Sequence, residues 1–309
     1  MDATWPTLPY ESWIDTQATL HRCLQVAGKI LLGRTPLVNH YWNAALKLTP
    51  RGLSTGPMPL GARTFAIDFD FVDHRVDVYD GEGGWRVVEL GPRPVADFYR
   101  DLLAELAALD IRLAINDLPS EIRREVIPFR LDRTHASYDR AAVEKWFAMV
   151  RATATVLDEF RARFVGKASP THFFWGGFDL ASSRFSGRRA PPLPDGGRME
   201  RESFSHEEWS AGLWTGDDRF PATTFYAYAM PPPPGFADAR VMPSDAFWER
   251  GLQNFLLPYE TVRRSDDPRA TLLTFLQSTY AAAADLGHWD RANLERHYSA
   301  EPPEATVSP

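Results

Sequence analysis

The sequence predicts an α+β protein: two similar helix–β-sheet–helix repeats in a pseudo-two-fold arrangement, with mostly antiparallel sheets. Three observations carry this. Apolar residues recur at helical spacing in several long segments. Other segments alternate with period two and are closed by Gly-rich turns. The second half of the chain also partly repeats the first.

The elements follow in order. Trp13, Leu20, Leu24, Ala27 and Leu31 share one helical face, and Gly33 is a stop signal. In NHYWNAALKL, Trp42, Ala44, Leu46 and Leu48 alternate with their neighbours and predict a strand. The segment FAIDFDFVDHRVDVYD sets Phe65, Ile67, Phe69 and Phe71 on one side and Asp68, Asp70 and His74 on the other. DGEGG then turns the chain into the strand WRVVEL. A helix is expected over 95–109, and IRLAI reads as one more strand. The mixed, charged stretch 117–139 is a boundary. Asp139 is the expected N-cap of a long helix over 140–165. THFFWGGFDLASSRF and TTFYAYAM read as strands, APPLPDGG and PPPPG as stiff connectors, and 269–286 as a last helix.

A shift of 133 positions brings Trp13 onto Trp146, Gly33 onto Gly166, Trp42 onto Trp175 and Arg51 onto Arg184. The closing helices match at a shift of 177, so the second half would carry a 44-residue insertion. This divides the chain into an N-terminal α+β repeat, 1–125, a C-terminal α+β repeat, 126–298, and a disordered tail, 299–309. A fused pair of this kind keeps an approximate two-fold axis, and the cleft between its halves is the natural ligand site.

Composition narrows the function. Of 309 residues, 44% are hydrophobic, and ten Trp and 19 Phe suffice for a core with aromatics left over for a pocket. One cysteine, Cys23, excludes a disulfide framework and a thiolate metal cage. A net charge of −7 argues against a nucleic-acid partner. The opening MDATWPTLPYESW lacks the basic and apolar regions of a signal peptide, and no run reaches the ~20 apolar residues of a membrane span. A cytoplasmic protein with no membrane partner is expected.

The strings NHYW, RGLSTGP, FDFVDH, RPVADFYRDL, HASYD, RFVGKASPTHFFWGGFDLASSRFSGRRAPP, SHEEWSAGLW and FLQSTYAAAADL resemble those of an uncharacterised bacterial family, domain-of-unknown-function family 5996. The likeness runs over about residues 5–295. It implies no established activity and supplies no catalytic residues.

Candidate sites therefore come from the residues themselves. The segment 171–185 is the richest. Read as one strand, it places His172, Phe174, Phe178, Ser182 and Arg184 on one face, and Trp175, Asp179 and Ala181 on the other. Asp179 occupies a core-like position, where a carboxylate is paired or protonated and can act as acid or base; a structural ion pair is the bland reading. His172 is an acid, base or ligand, or else a hydrogen-bonded structural histidine. These two serve one site only if the chain bends at Gly176-Gly177.

Arg184 and Arg188, with Arg51 as the partner of Arg184 in the first half, are the expected grip on a small anionic ligand, against the alternative of solvated turn arginines. His206 and Glu207 lie in the expected insertion as further catalytic candidates, beside Glu208; solvated loop carboxylates are the alternative. Trp175, Tyr226 and Tyr228 complete the expected ligand pocket. Asp68, Asp70, Asp73 and His74 form an acidic group that a divalent metal would find attractive, though as the wet side of a strand it needs no ion. His135 and Tyr138 are expected to cap or pack.

The reading with most support is a small-molecule enzyme with acid/base chemistry on a small anionic metabolite in a pocket of the C-terminal repeat. A non-catalytic ligand- or protein-binding module is the alternative, and a divalent-metal-dependent enzyme is weaker. No cofactor or oligomeric state can be read from the sequence.

Overall fold

A computed structural model describes residues 4–296. The expected tail over 299–309 lies outside the described residues. Helix α1 (Ile14–Arg34) leads into strands β1 (Lys47–Leu48), β2 (Gly52–Ser54), β3 (Met58–Leu60), β4 (Arg63–Asp70), β5 (Arg75–Asp80) and β6 (Trp85–Glu89), and then helix α2 (Val95–Ala108). After a long connection come α3 (Arg140–Arg161), β7 (His172–Phe174), β8 (Asp179–Arg189), α4 (Arg198–Ser203), β9 (His206–Trp214) and β10 (Thr224–Met230). The chain closes with β11 (Phe247–Glu249), β12 (Asn254–Pro258), α5 (Tyr259–Arg264), α6 (Pro268–Leu286) and α7 (Arg291–Leu294).

Two six-stranded antiparallel sheets result. The first has the order β1-β2-β4-β5-β6, with β3 also pairing β4; the second has β11-β12-β10-β9-β8-β7. They meet at their edges. Leu46, just before β1, and Phe173 of β7 exchange both backbone hydrogen bonds, at 2.8 and 2.9 Å. The α+β class and the antiparallel sheets are those the alternation predicts.

Helix placement follows the apolar faces. Asp139 caps α3 by accepting from the backbone N–H groups of Ala141 and Ala142. Pro268 sits in the first turn of α6, where its missing N–H is harmless, and Asp267 caps that helix. Both helices cover one face of the second sheet, where Trp209 of β9 packs on Phe160 and Tyr280. Period two then sends the alternate residues of β8, β9 and β10 to the other face, and that face is polar.

Several local expectations are corrected. Residues 39–44 form a 3-10 segment, not a strand, with His40 and Tyr41 at positive φ. Asn43 Oδ1 accepts from the Val38 N–H, and such local bonds compete with a strand ladder. Residues 111–115 pair with no strand; Ile111 is buried and Leu113 and Ile115 half-buried, so the alternation records one-sided packing alone. The segment 171–185 is a hairpin that turns over 175–178, with Phe178 at φ 56°. Residues 206–214 form a central strand, not an inserted loop. The third helix stops at Arg161, four residues early.

Gly28 shows how closely α1 meets the second half. A Cβ there would lie 2.3 Å from the indole ring of Trp175. Alanine is the better helix former by about 1 kcal/mol, yet Gly28→Ala is expected to destabilise the protein by roughly 1–3 kcal/mol, because the ring has to move. A thermal melt that rises instead would refute the contact.

Candidate functional site

The polar face of the second sheet is the floor of a cavity of about 930 Å³. The N-terminal half of α1 supplies one wall through Gln17, Ala18 and His21, and the connection between α2 and α3 supplies another through Ser120, Glu121 and Glu125. Strand register sets the floor. Ala181 of β8 faces Gly212 of β9, which faces Tyr226 of β10; Ser183 faces Ser210, which faces Tyr228. Residues paired across antiparallel strands share a face, so Asp179, Ala181, Ser183, Glu208, Ser210, Tyr226 and Tyr228 all look into the cavity.

Two acid–tyrosine pairs dominate it. Tyr226 Oη donates to Asp179 Oδ2 at 2.5 Å, and Tyr228 Oη donates to Glu208 Oε1 at 3.3 Å. The phenol rings stack 6.2 Å apart at 10°. Tyr226 reaches Asp179 by lying across β9 at its glycine: a Cβ on Gly212 would stand 3.0 Å from the phenol oxygen. Burial pushes the Asp179 carboxyl up to about 7, and the nearby charge of Glu121 adds to this. Burial pushes Glu208 up to about 8. Glu121, on the exposed side of the cavity wall, is raised by desolvation. Asp179 and Glu121 have no cation acting on them, and Lys167 only partly offsets the burial of Glu208. Ser183 donates to Ser210 at 2.9 Å between the two pairs.

His21 helps to fix the hairpin beneath. Its Nε2 donates to the carbonyl oxygens of Trp175 and Gly176 at 2.9 Å each, and burial holds its pKa near 4. Trp175 lies in the cavity wall.

The hairpin reverses the expected facing of His172 and Asp179. His172 pairs with Ala181 and Phe174 with Asp179, so both ionisable residues lie on the cavity side of the sheet. His172 is nevertheless buried beside Trp42 and Phe174, with its pKa depressed to about 4 by that burial, and it is not part of the cavity lining. Of the expected catalytic residues, only Asp179 lines the cavity.

The others lie elsewhere. His206 stands 5.7 Å from the ring of His40 at the far end of β9. Glu207 points to the opposite face, where Ser186 and Arg188 donate to it. Arg188 also donates to the carbonyl oxygens of Gly287 and His288, at the end of α6. Arg184 is buried among Phe160, Phe164 and Tyr280 and donates to the Phe160 carbonyl; desolvation lowers it to about 10. Arg51 pairs with Asp70 and Asp73 on the first sheet. The expected anion grip by Arg51, Arg184 and Arg188 is therefore not formed: three protein environments already hold the three guanidinium groups.

Nor does the acidic group 68–74 converge. Asp68 accepts from Tyr79, Asp70 from Arg51, and His74 meets Tyr138 and Glu144. Among the described residues, no three His, Cys, Asp or Glu side chains are arranged to hold a metal ion.

Sequence reasoning named Glu208 only as a loop neighbour of His206 and Glu207, and missed Glu121, Gln17 and His21. The signal for Glu208 was present. In SHEEWSAGLW, Glu208, Ser210, Gly212 and Trp214 alternate with Trp209, Ala211 and Leu213, the pattern of a strand with one dry face. Glu121 and Gln17 carry no such signal, since they reach the cavity from a loop and a helix distant in sequence.

Fold and site together define an α+β protein with two antiparallel sheets and an acid-lined cavity of small-molecule size on the polar face of the second. No helix among the described residues is long and apolar enough to cross a membrane. A family model matches residues 5–296, and the chain belongs to that family, described as a family of unknown function, DUF5996. No curated protein and no solved structure matches the chain.

Proposed function

We propose that the protein is a small-molecule enzyme whose proton-transfer groups are Asp179 and Glu208, each oriented by a tyrosine. The observation that carries this is the pair of carboxyls on neighbouring strands, Glu208 buried and Asp179 half-buried, which face one cavity and which desolvation raises toward neutral pH. A general acid or base works best when its pKa lies near the working pH, and burial without a counter-cation is the usual way a protein brings a carboxyl there. Tyr226 and Tyr228, raised well above the ordinary phenol range by burial, stay protonated and act as fixed donors. The substrate would lie over Gly212 and the serine pair, between the stacked phenols and α1. An anionic metabolite loses its support, because the arginines expected to hold it are engaged elsewhere.

The same reading treats the chain as two repeats divided near residue 125, with the cavity at their joint. Support comes from the matching order of long helix, antiparallel sheet and closing helix on either side.

Titration of carboxyl ¹³C resonances tests the proton-transfer assignment. Two side chains are expected with midpoints near 7 and 8, the lower one disappearing in Asp179→Asn and the upper in Glu208→Gln. Both midpoints in the ordinary range around 4 would remove the proposal.

A further inference from the structure

Buried polar atoms without partners mark the cavity wall, the acceptor Gln17 Oε1 and the donor Trp175 Nε1 among them. Gln17, 8% exposed, has its amide orientation fixed: Nε2 donates to Thr215 Oγ1 at 2.9 Å and to the Gly216 carbonyl at 3.1 Å. Its Oε1 is buried in the cavity wall and accepts from nothing. A buried acceptor without a donor costs about 1–3 kcal/mol, so this atom marks a position that a ligand N–H or O–H would fill.

The charges point the same way. Four arginines belong to the wall. Arg22 is paired with Asp132 at 3.3 Å, Arg124 with Asp218 at 2.6 Å and Arg219 with Asp217 at 2.6 Å, while Arg123 is exposed. Lys167, the cation nearest Glu208 in its electrostatics, instead donates to His40 Nε2 at 2.6 Å, and His40 Nδ1 donates to the Ser203 carbonyl. The wall's basic groups are thus engaged or turned to solvent, as is Glu121, while Asp179 and Glu208 have phenols as their hydrogen-bond partners. Aromatic faces, among them Trp175, Phe174 and Trp214, complete the enclosure.

We propose that the substrate of this site is a small amine, bound as its ammonium ion, which donates to Gln17 Oε1 and to the carboxylates of the floor. This rests on the proton-transfer reading above and supplies its substrate class. An ammonium ion makes charge-assisted hydrogen bonds to carboxylates, packs against aromatic faces and fills the vacant amide acceptor. It would draw Asp179 and Glu208 into their ionised forms, so binding releases protons, and by reciprocity rising pH strengthens binding. His21 stays neutral over this range, and Tyr226 and Tyr228 stay protonated, so neither opposes the effect.

Benzylamine and phenylacetate, of similar size and opposite charge, are the probes, titrated into the full chain by isothermal calorimetry at about pH 6 and about pH 8. Benzylamine is expected to bind with proton release, roughly tenfold or more tightly at the higher pH, and phenylacetate to bind weakly or not at all. The Asp179→Asn, Glu208→Gln double variant, which keeps the shape of both side chains, should lose the pH dependence. Phenylacetate binding as tightly as benzylamine, or benzylamine failing to bind, overturns the amine assignment. Carboxyls that titrate normally would instead sink the proton-transfer reading. Elevated carboxyls without amine binding remove this inference alone.

Discussion

Trp146→Ala is expected to cost about 3–5 kcal/mol, the largest single-residue loss of stability in the molecule. The indole, fully buried on α3, touches four aromatic rings from separate parts of the chain. Phe178 stacks on it at 5.0 Å, Phe71 and Phe173 meet it edge-on at 5.4 and 5.6 Å, and Trp13 lies 6.1 Å away. Phe71 follows the central strand of the first sheet, Phe173 lies in the edge strand of the second, and Trp13 precedes α1. One side chain therefore joins both sheets to the first helix. Alanine leaves a cavity bordered by three elements that cannot all collapse inward. Thermal unfolding should remain one transition, with a midpoint lowered by roughly 6–10 °C. A loss under about 1 kcal/mol would mean that the halves hold together by other means.

Stability should also fall as pH rises through neutrality, by about 2 kcal/mol between roughly pH 6.5 and pH 8. The ordinary values for Asp179 and Glu208 are 3.8 and 4.5, and the folded protein lifts them to about 7 and about 8. Between the unfolded and folded values the native state holds protons that the unfolded chain has released. Each group's stabilisation is therefore complete at acid pH and is lost as pH passes its folded value. His21 and His172 act in the opposite sense. Their values drop from 6.5 to about 4, so their contribution is present above 6.5 and lost toward 4. The two effects offset one another below 6.5, leaving the carboxyls alone to shape the neutral range. Chemical denaturation in a pH series checks this. Asp179→Asn with Glu208→Gln should flatten the fall and make the protein more stable than the parent at pH 8. A stability that climbs from pH 6.5 to 8 in the parent would contradict the desolvation of both carboxyls.

What the sequence discloses is one-dimensional periodicity, and where periodicity decided the outcome the reading holds. Helices α1, α2, α3 and α6 and strands β6 and β10 lie where spacing puts them, whereas 65–80, read as one alternation with His74 on the face of Asp68 and Asp70, is a hairpin of β4 and β5 that turns over 71–74. The misreadings share a different cause. Residues 39–48 alternate, but Asn43 closes a local turn. Residues 171–185 alternate on either side of Gly176-Gly177, yet the reversal there flips the parity, so His172 and Asp179 were assigned to opposite faces when they share one. Arg184 looked like a ligand grip because its type suits anions; its neighbours Phe160, Phe164 and Tyr280 come from distant helices that no local pattern names. Asp179, Tyr226 and Tyr228 were legible as cavity residues because they lie on strands with clear alternation, while Trp175 reaches the wall from the turn between β7 and β8. Gln17 and Glu121 depend on tertiary packing alone.

The Leu46–Phe173 exchange covers one open edge of each sheet. An unpaired strand edge is a template on which other chains polymerise. Here β1 and β7 shield each other within one molecule, at a seam that also holds the ring of Trp146 out of water. Severing the chain between α2 and α3 would give two fragments, each with a raw edge and a naked aromatic patch. Such fragments would recombine with one another, or grow into aggregates, before either stood alone.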